Sequence, residues 1–158
     1  MNEQVTTKMK IYISGKIGTD TITPEIRDKF NEAAAFFEQQ GHEVVNPIDP
    51  LHQERGAVYQ SQSIPDIYTR RLLYDLSIIA TCDAVFLLPD WRDSPGAKTE
   101  ASFAAAINKK VVAQRNGLFE LYDAWKVNPP CNPDTGCPTS CPYFEECNGP
   151  AEADDSDE

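Results

Sequence analysis

The sequence predicts an α/β fold: a doubly wound, Rossmann-like or flavodoxin-like parallel sheet of four or five strands, followed by a Cys-rich C-terminal extension. Three observations carry this. Short β-branched and aromatic runs alternate with segments of helical period, in the order strand, helix, strand, helix, strand, helix, strand. The run DAVFLL at Asp83 to Leu88 is continuously apolar, as strands covered on both faces are. Beyond the last strand, four cysteines crowd into a proline-punctuated segment with no apolar pattern of its own. The expected division is an N-terminal tail at 1–9, an α/β domain at 10–127, a Cys knuckle at 128–149 and an acidic, disordered tail at 150–158.

The first strand is Lys10 to Ser14 (KIYIS), running into a turn at Gly15. Thr23, Pro24 and Glu25 read as an N-cap, a first-turn proline and an acidic first turn. Ile26, Phe30, Ala33 and Phe37 follow at helical spacing until Gly41. His42 to Asn46 (HEVVN), closed by Pro47, fits the second strand. From Pro47 to Ile64 the chain is polar without clean periodicity and is expected to form a long loop over one end of the sheet. Ser63 and Asp66 make a capping-box pattern, so the next helix is expected to start at Ser63, with Ile67, Leu72, Leu76 and Ile79 as its apolar stripe. Small apolar residues from Ala97 to Ile107 predict a tightly packed helix after the third strand, and Lys110 to Gln114 (KVVAQ) supplies a fourth.

At 158 residues, 41% hydrophobic and 25% charged, the chain has the size and composition of one globular domain with short appendages. No apolar run approaches the roughly 20 residues that a membrane-spanning helix needs, and no membrane partner is expected. Met1 to Lys10 is too polar for a signal peptide, which predicts a cytoplasmic, reducing location. The net charge is −11, with Glu152, Asp154, Asp155, Asp157 and Glu158 supplying five negatives in the tail. An acidic chain argues against binding long nucleic acid, which needs clustered Lys and Arg, while a small anionic ligand needs only a few local donors.

Ligands of doubly wound sheets bind beyond the carboxyl ends of the strands, here Ser14-Gly15-Lys16, Pro47 onward, and Asp90 to Glu100. Glu100 lies near a helix start, where the macrodipole favours a negative charge. Position alone leaves two readings open, a capping carboxylate or a reactive one. The loop Ser14-Gly15-Lys16-Ile17-Gly18 offers a hydroxyl, a flexible backbone and a cation suited to a phosphate, although it lacks the P-loop spacing and an exposed turn lysine reads the same way. Trp91 either stacks on a ligand or packs its loop.

The run from Cys82 to Glu100 (CDAVFLLPDWRDSPGAKTE), with Ala101, Ala104 and Lys109 to Val112 after it, resembles the nucleoside 2-deoxyribosyltransferase-like superfamily. More closely it resembles the branch called DUF4406, whose Trp-x-x-Ser-x-Gly-Ala-x-x-Glu motif stands here as Trp91, Ser94, Gly96, Ala97 and Glu100. Tyr12 to Gly15 and Gly41 to Pro47 match in order, so the similarity covers roughly residues 10 to 114. The resemblance implies that Glu100 attacks the anomeric carbon of a nucleoside or nucleotide and forms a covalent glycosyl-enzyme, a step that suits a carboxylate. It places Tyr12 beside Glu100 and Asp75 where relatives put an acid that contacts or protonates the base. A core aromatic and an exposed helix position are the alternatives for these two residues. Asp75, Asp90 and Asp93 are candidates for the acid.

Ser94 stands where some nucleoside-acting relatives carry an aspartate and several nucleotide-acting relatives carry serine, which favours a 5′-monophosphate, since serine donates to phosphate and aspartate repels it. Ser14, Gly15, Lys16, Asp90, Trp91, Asp93, Ser94, Gly96 and Ala97 are the expected substrate contacts. The expected activity is N-glycosidic cleavage of a (deoxy)nucleoside 5′-monophosphate. Base exchange is the alternative, and a non-catalytic nucleotide-binding module a second. Relatives commonly form dimers or larger assemblies, implying a homodimer.

Cys131, Cys137, Cys141 and Cys147 are spaced C-x5-C-x3-C-x5-C, outside the resemblance. In a reducing cytoplasm four thiols on a proline-stiffened segment predict a structural metal knuckle, with zinc the first choice and an iron–sulfur cluster the second. No cofactor is expected for catalysis.

Overall fold

The structure is a computed structural model and describes residues 8–18, 21–115 and 118–122, with backbone alone from 114 onward. Residues 1–7 of the expected tail, the Cys131, Cys137, Cys141 and Cys147 knuckle and the acidic terminus lie outside the described residues.

The elements are β1 (Lys10–Ser14), α1 (Pro24–Gln39), β2 (Glu43–Val45), α2 (Pro50–Val58), α3 (Ile67–Ile79), β3 (Ala84–Leu87), a single 3-10 turn (Trp91–Asp93), α4 (Pro95–Ala106), β4 (Lys110–Arg115) and β5 (Leu118–Tyr122). They form one sheet in the order β2-β1-β3-β4-β5. The first four strands are parallel, with Tyr12 opposite Val45 and Val85, and Val85 opposite Val111. β5 pairs antiparallel with β4 and closes that edge. The strand order reverses between β1 and β3, so their carboxyl ends diverge and leave a crevice there.

Alternation along the strands divides the core into two layers. On one face Ile11, Ile13, Ala84, Phe86 and Leu88 pack with Phe30, Ala33, Ala34 and Phe37 of α1. Phe37 meets Phe86 edge-on at 4.9 Å between centroids, a geometry that adds to the roughly 1.5–3 kcal/mol each such ring contributes by burial. On the other face Tyr12, Val85, Leu87, Val111 and Ala113 pack with Ile79 of α3 and Ala101 and Ala104 of α4. The α4 stripe is almost all alanine: Ala97, Ala101, Ala104 and Ala105 are buried. With no side chain beyond Cβ, it lets the helix lie close on the sheet.

Two local expectations are corrected. The stretch 47–64 is not a loop throughout, because Pro50–Val58 is helical. Proline starts that helix, as suits an N-terminal turn, and its buried contact is Gly56 against α3. Its apolar Leu51 and Val58 face outward, so no apolar stripe marks it in the sequence. The following helix starts at Ile67, with Asp66 rather than Ser63 as its cap; Asp66 Oδ2 accepts from Thr69 N–H at 2.8 Å. Pro65 holds Ile64 away from helical backbone, so the helix does not begin at Ile64 as a Ser63 cap would require. The expected cap at Thr23 is present, its hydroxyl accepting from Ile26 N–H at 3.3 Å.

Candidate active site

A cleft of about 560 Å³ opens beyond the carboxyl ends of β1 and β3, between the β1 loop, α3 and the start of α4. Gly15, Lys16, Asp75, Asp93, Ser94, Gly96, Ala97 and Glu100 all line it. Its size suits a ligand of nucleotide dimensions.

Glu100 owes its position to the alanine stripe. It follows Ala97 by three residues and precedes Ala104 by four, so it lies on the buried side of α4, with only 7% of its surface exposed. Tyr12, on the α4-facing side of β1, is wholly buried beneath it. Tyr12 Oη, Ser14 Oγ and Glu100 Oε2 are buried without a hydrogen-bond partner within the protein. Both hydroxyls nevertheless lie near enough to act on the Glu100 carboxylate. Buried polar groups without partners are rare in folded proteins and cluster where a ligand completes them.

Asp75 faces the site from α3, where His52 Nε2 meets its Oδ1 at 2.5 Å. His52 comes from α2, and its ring lies 4.9 Å from Tyr74 and 6.3 Å from Tyr12, centroid to centroid. Burial pushes Glu100 well above the ordinary carboxylate range, and the Asp75 charge pushes it further, while the Tyr12 and Ser14 hydroxyls pull it down. Asp75 is also raised by burial, against the hydrogen bond from His52, the Tyr12 hydroxyl and the Arg71 charge. Burial and the charges of Glu100 and Asp75 raise the Tyr12 phenol, so it stays protonated and can serve as a donor.

Ser94 caps α4, its Oγ accepting from Ala97 N–H at 3.2 Å, which leaves the hydroxyl proton available to a ligand. Gly15 passes against β3; a Cβ there would stand 2.7 Å from Leu88 Cδ1 and 3.0 Å from Leu88 Cβ.

Two expected contacts are placed elsewhere. Asp90 accepts from Lys16 N–H at 3.1 Å and pairs with Lys29 of α1. It thereby ties the β1 loop to the chain after β3 rather than facing the cleft. Trp91 packs on the Tyr12 core layer, with the Arg92 guanidinium 5.3 Å from its ring centre.

Sequence reasoning did not single out His52, Gln53, Tyr68 or Arg71. Tyr68, Arg71 and Asp75 recur at three- and four-residue spacing, so Asp75 once placed would have pointed to the other two. Nothing in the sequence links His52 to Asp75 across 23 positions. Among the described residues no group of three or more His, Cys, Asp or Glu side chains is placed to hold a metal ion. No described helix is long and apolar enough to cross a membrane.

Fold and site together define an α/β domain with a buried carboxylate, Glu100, and a half-buried one, Asp75, at the sheet's topological switch point. Residues 9–113 match the family described as Domain of unknown function (DUF4406), and the chain belongs to that family. Among solved structures, the CMP N-glycosidase BcmB of Clostridium botulinum is similar at 21% identity and a TM-score of 0.42. The similarity covers 66% of this chain and 66% of that one. No curated protein matches the sequence.

Proposed function

We propose that this protein is an N-glycosidase that cleaves a (deoxy)nucleoside 5′-monophosphate into free base and sugar 5-phosphate through a glycosyl-Glu100 adduct. The observation that carries this reading is the buried Glu100 carboxylate, with an unpartnered oxygen, facing a nucleotide-sized cleft beside Tyr12 and the Asp75–His52 pair. The Asp75 charge disfavours ionising Glu100 beside it, so the reactive form carries a single proton on the pair. With that proton on Asp75, Glu100 attacks C1′ as the C1′–N bond breaks, and Asp75 protonates the departing base. Water then attacks C1′, Asp75 takes up its proton, and Glu100 leaves ionised with the proton inventory restored. Tyr12 orients the Glu100 carboxylate, and His52 orients Asp75 through Oδ1. Ser94, the first turn of α4 and the Gly15-Lys16 loop receive the sugar phosphate, where amides and a hydroxyl suit an anion.

The test is chromatography of products after incubation with a panel of ribo- and deoxyribonucleosides and their 5′-monophosphates, with and without added free base. Release of free base with sugar 5-phosphate is expected, and Glu100→Ala should abolish it. A new nucleotide formed only with added base would replace hydrolysis by exchange. Full activity in Glu100→Ala would remove the adduct.

A further inference from the structure

Arg71 is the one basic side chain among the described residues that lines the cleft without being fully exposed; Lys16, the other lining cation, is exposed. Its stem is fixed against α2: a Cβ at Gly56 would stand 3.2 Å from Arg71 Cγ and 3.4 Å from its Cα. Its Nε is buried and has no hydrogen-bond partner, and no carboxylate of the described residues forms an ion pair with it. The adjacent Arg70 shows the opposite arrangement, its guanidinium donating to the carbonyls of Ile64, Ala57 and Pro65 at 2.6–2.8 Å. Arg70 is thus used to hold the α2–α3 connection. Arg71, held as firmly at its stem, brings its donors into a ligand-sized cleft, with Nε unspent and the charge acting also on Asp75.

The packing of α3 on α4 says where those donors look. The Tyr68 hydroxyl lies 3.3 Å from where a Gly96 Cβ would sit, and Asp75 is near enough to Glu100 to raise its pKa. The two helices therefore run side by side in the same sense, with Tyr68 at the N-terminus of α4 and Asp75 level with Glu100. Arg71 lies between them, about one helical turn from each. A nucleotide whose C1′ meets Glu100 would extend its 5′ end toward the α4 N-terminus, past Arg71. A planar guanidinium has the donor geometry for two phosphoryl oxygens at once, and desolvation strengthens such a pair.

We infer that Arg71 is the specificity-determining residue that reads the 5′-phosphoryl group and selects monophosphates over free nucleosides. This deepens the glycosidase reading and rests on it for the placement of the sugar. Binding can be followed without turnover, using 2-deoxyribose 5-phosphate, unphosphorylated 2-deoxyribose and free bases as probes by calorimetry. The wild type should bind the sugar phosphate more tightly than the sugar. Arg71→Met, which keeps the stem on Gly56, should weaken the sugar phosphate about ten- to hundredfold. Arg71→Lys should recover part of that loss, since it restores charge but not the fork. In turnover, the monophosphate-to-nucleoside ratio of kcat/KM should collapse in Arg71→Met and fall less far in Arg71→Lys.

Sugar-phosphate affinity within twofold of wild type in Arg71→Met overturns the inference, as does a loss confined to the free bases, which would assign Arg71 to the base. A wild type with no preference for the phosphorylated sugar overturns it without recourse to any variant. Failure of the glycosidase reading is separate: the wild type would hold the sugar phosphate through Arg71 yet release no base from any nucleotide.

Discussion

Replacing Tyr12 by Phe separates stability from activity in opposite directions. The ring is wholly buried among Val85, Leu87, Ala101 and Ala104, and Phe fills the same volume. Only the hydroxyl is removed, a buried group without a partner in the protein. Such an unpaired group costs about 1–3 kcal/mol. Part of that is offset because the hydroxyl favours the ionised form of Glu100, so the expected gain is about 1 kcal/mol, the low end of the range. At roughly 2–4 °C per kcal/mol for a chain of this size, Tm should rise a few degrees. Activity should fall, because a donor to a charged group contributes about 1.5–3 kcal/mol where it acts, or about ten- to hundredfold in the rate of base release. Without the hydroxyl, Glu100 is raised further, so the acid limb of the single-turnover profile should also move to higher pH. The assays are thermal denaturation and single-turnover base release across a pH series. A variant destabilised by more than 1 kcal/mol, or one as active as wild type at every pH, would refute the reasoning about this hydroxyl.

Glu100→Gln should change the pH dependence of stability. The folded-state carboxyl is raised above its ordinary 4.5, so the native state holds a proton the unfolded chain releases, and wild-type stability falls as pH climbs from the ordinary value through the raised one. The variant lacks that penalty; its advantage should grow with pH over that window and then level off. Denaturant titrations at several pH values check this, and a pH-independent difference would count against a buried, raised Glu100. For the C-terminal cysteines, we propose one bound metal per chain: elemental analysis of anaerobically purified protein should find zinc, or iron with visible absorption if the site holds a cluster. Substituting Ser at Cys131 and Cys141 together should abolish it, and metal-free wild-type protein would dismiss the knuckle.

The strands were legible because parallel strands covered on both faces write themselves as apolar runs, as Tyr12-Ile13 and Ala84 to Leu88 do. Two of the helices, α1 and α4, announced themselves through Thr23-Pro24 and the alanine stripe. Helix α2 did not, because it packs through Gly56 and His52 rather than through an apolar stripe, and its Leu51 and Val58 are exposed. The start of α3 was misplaced because Ser63 and Asp66 have capping-box spacing, while Pro65 makes Asp66 the cap. β5 is an antiparallel addition outside the repeating strand–helix rhythm, which gave no reason to expect it. Of the site, Glu100, Tyr12, Asp75 and Ser14 come together. Asp90 and Trp91, close in sequence, are turned away by the 3-10 turn at Trp91–Asp93 and by the pairing of Asp90 with Lys29. Sequence adjacency to Glu100 is a poor guide across such a turn, whereas register on α3 is a good one.

The packing that buries Glu100 also sets its chemistry. A stripe of alanines draws α4 onto the sheet, and any side chain interrupting that stripe at its first turns is driven against the ends of β1 and β3. For an apolar residue this would be ordinary core; for a carboxylate it is a cost, visible in the raised pKa and the unpartnered Oε2. In the proposed reaction, a transition state with positive charge developing on a sugar would recover that cost, because the field of a poorly solvated carboxylate is weakly screened. The ground state in water offers no equivalent recovery. On the proposed mechanism the half-buried Asp75 beside it has a matching use: with both carboxyls raised, a proton held between them can reach the leaving base. His52, at 10% side-chain exposure, fixes which oxygen of Asp75 is left to carry it.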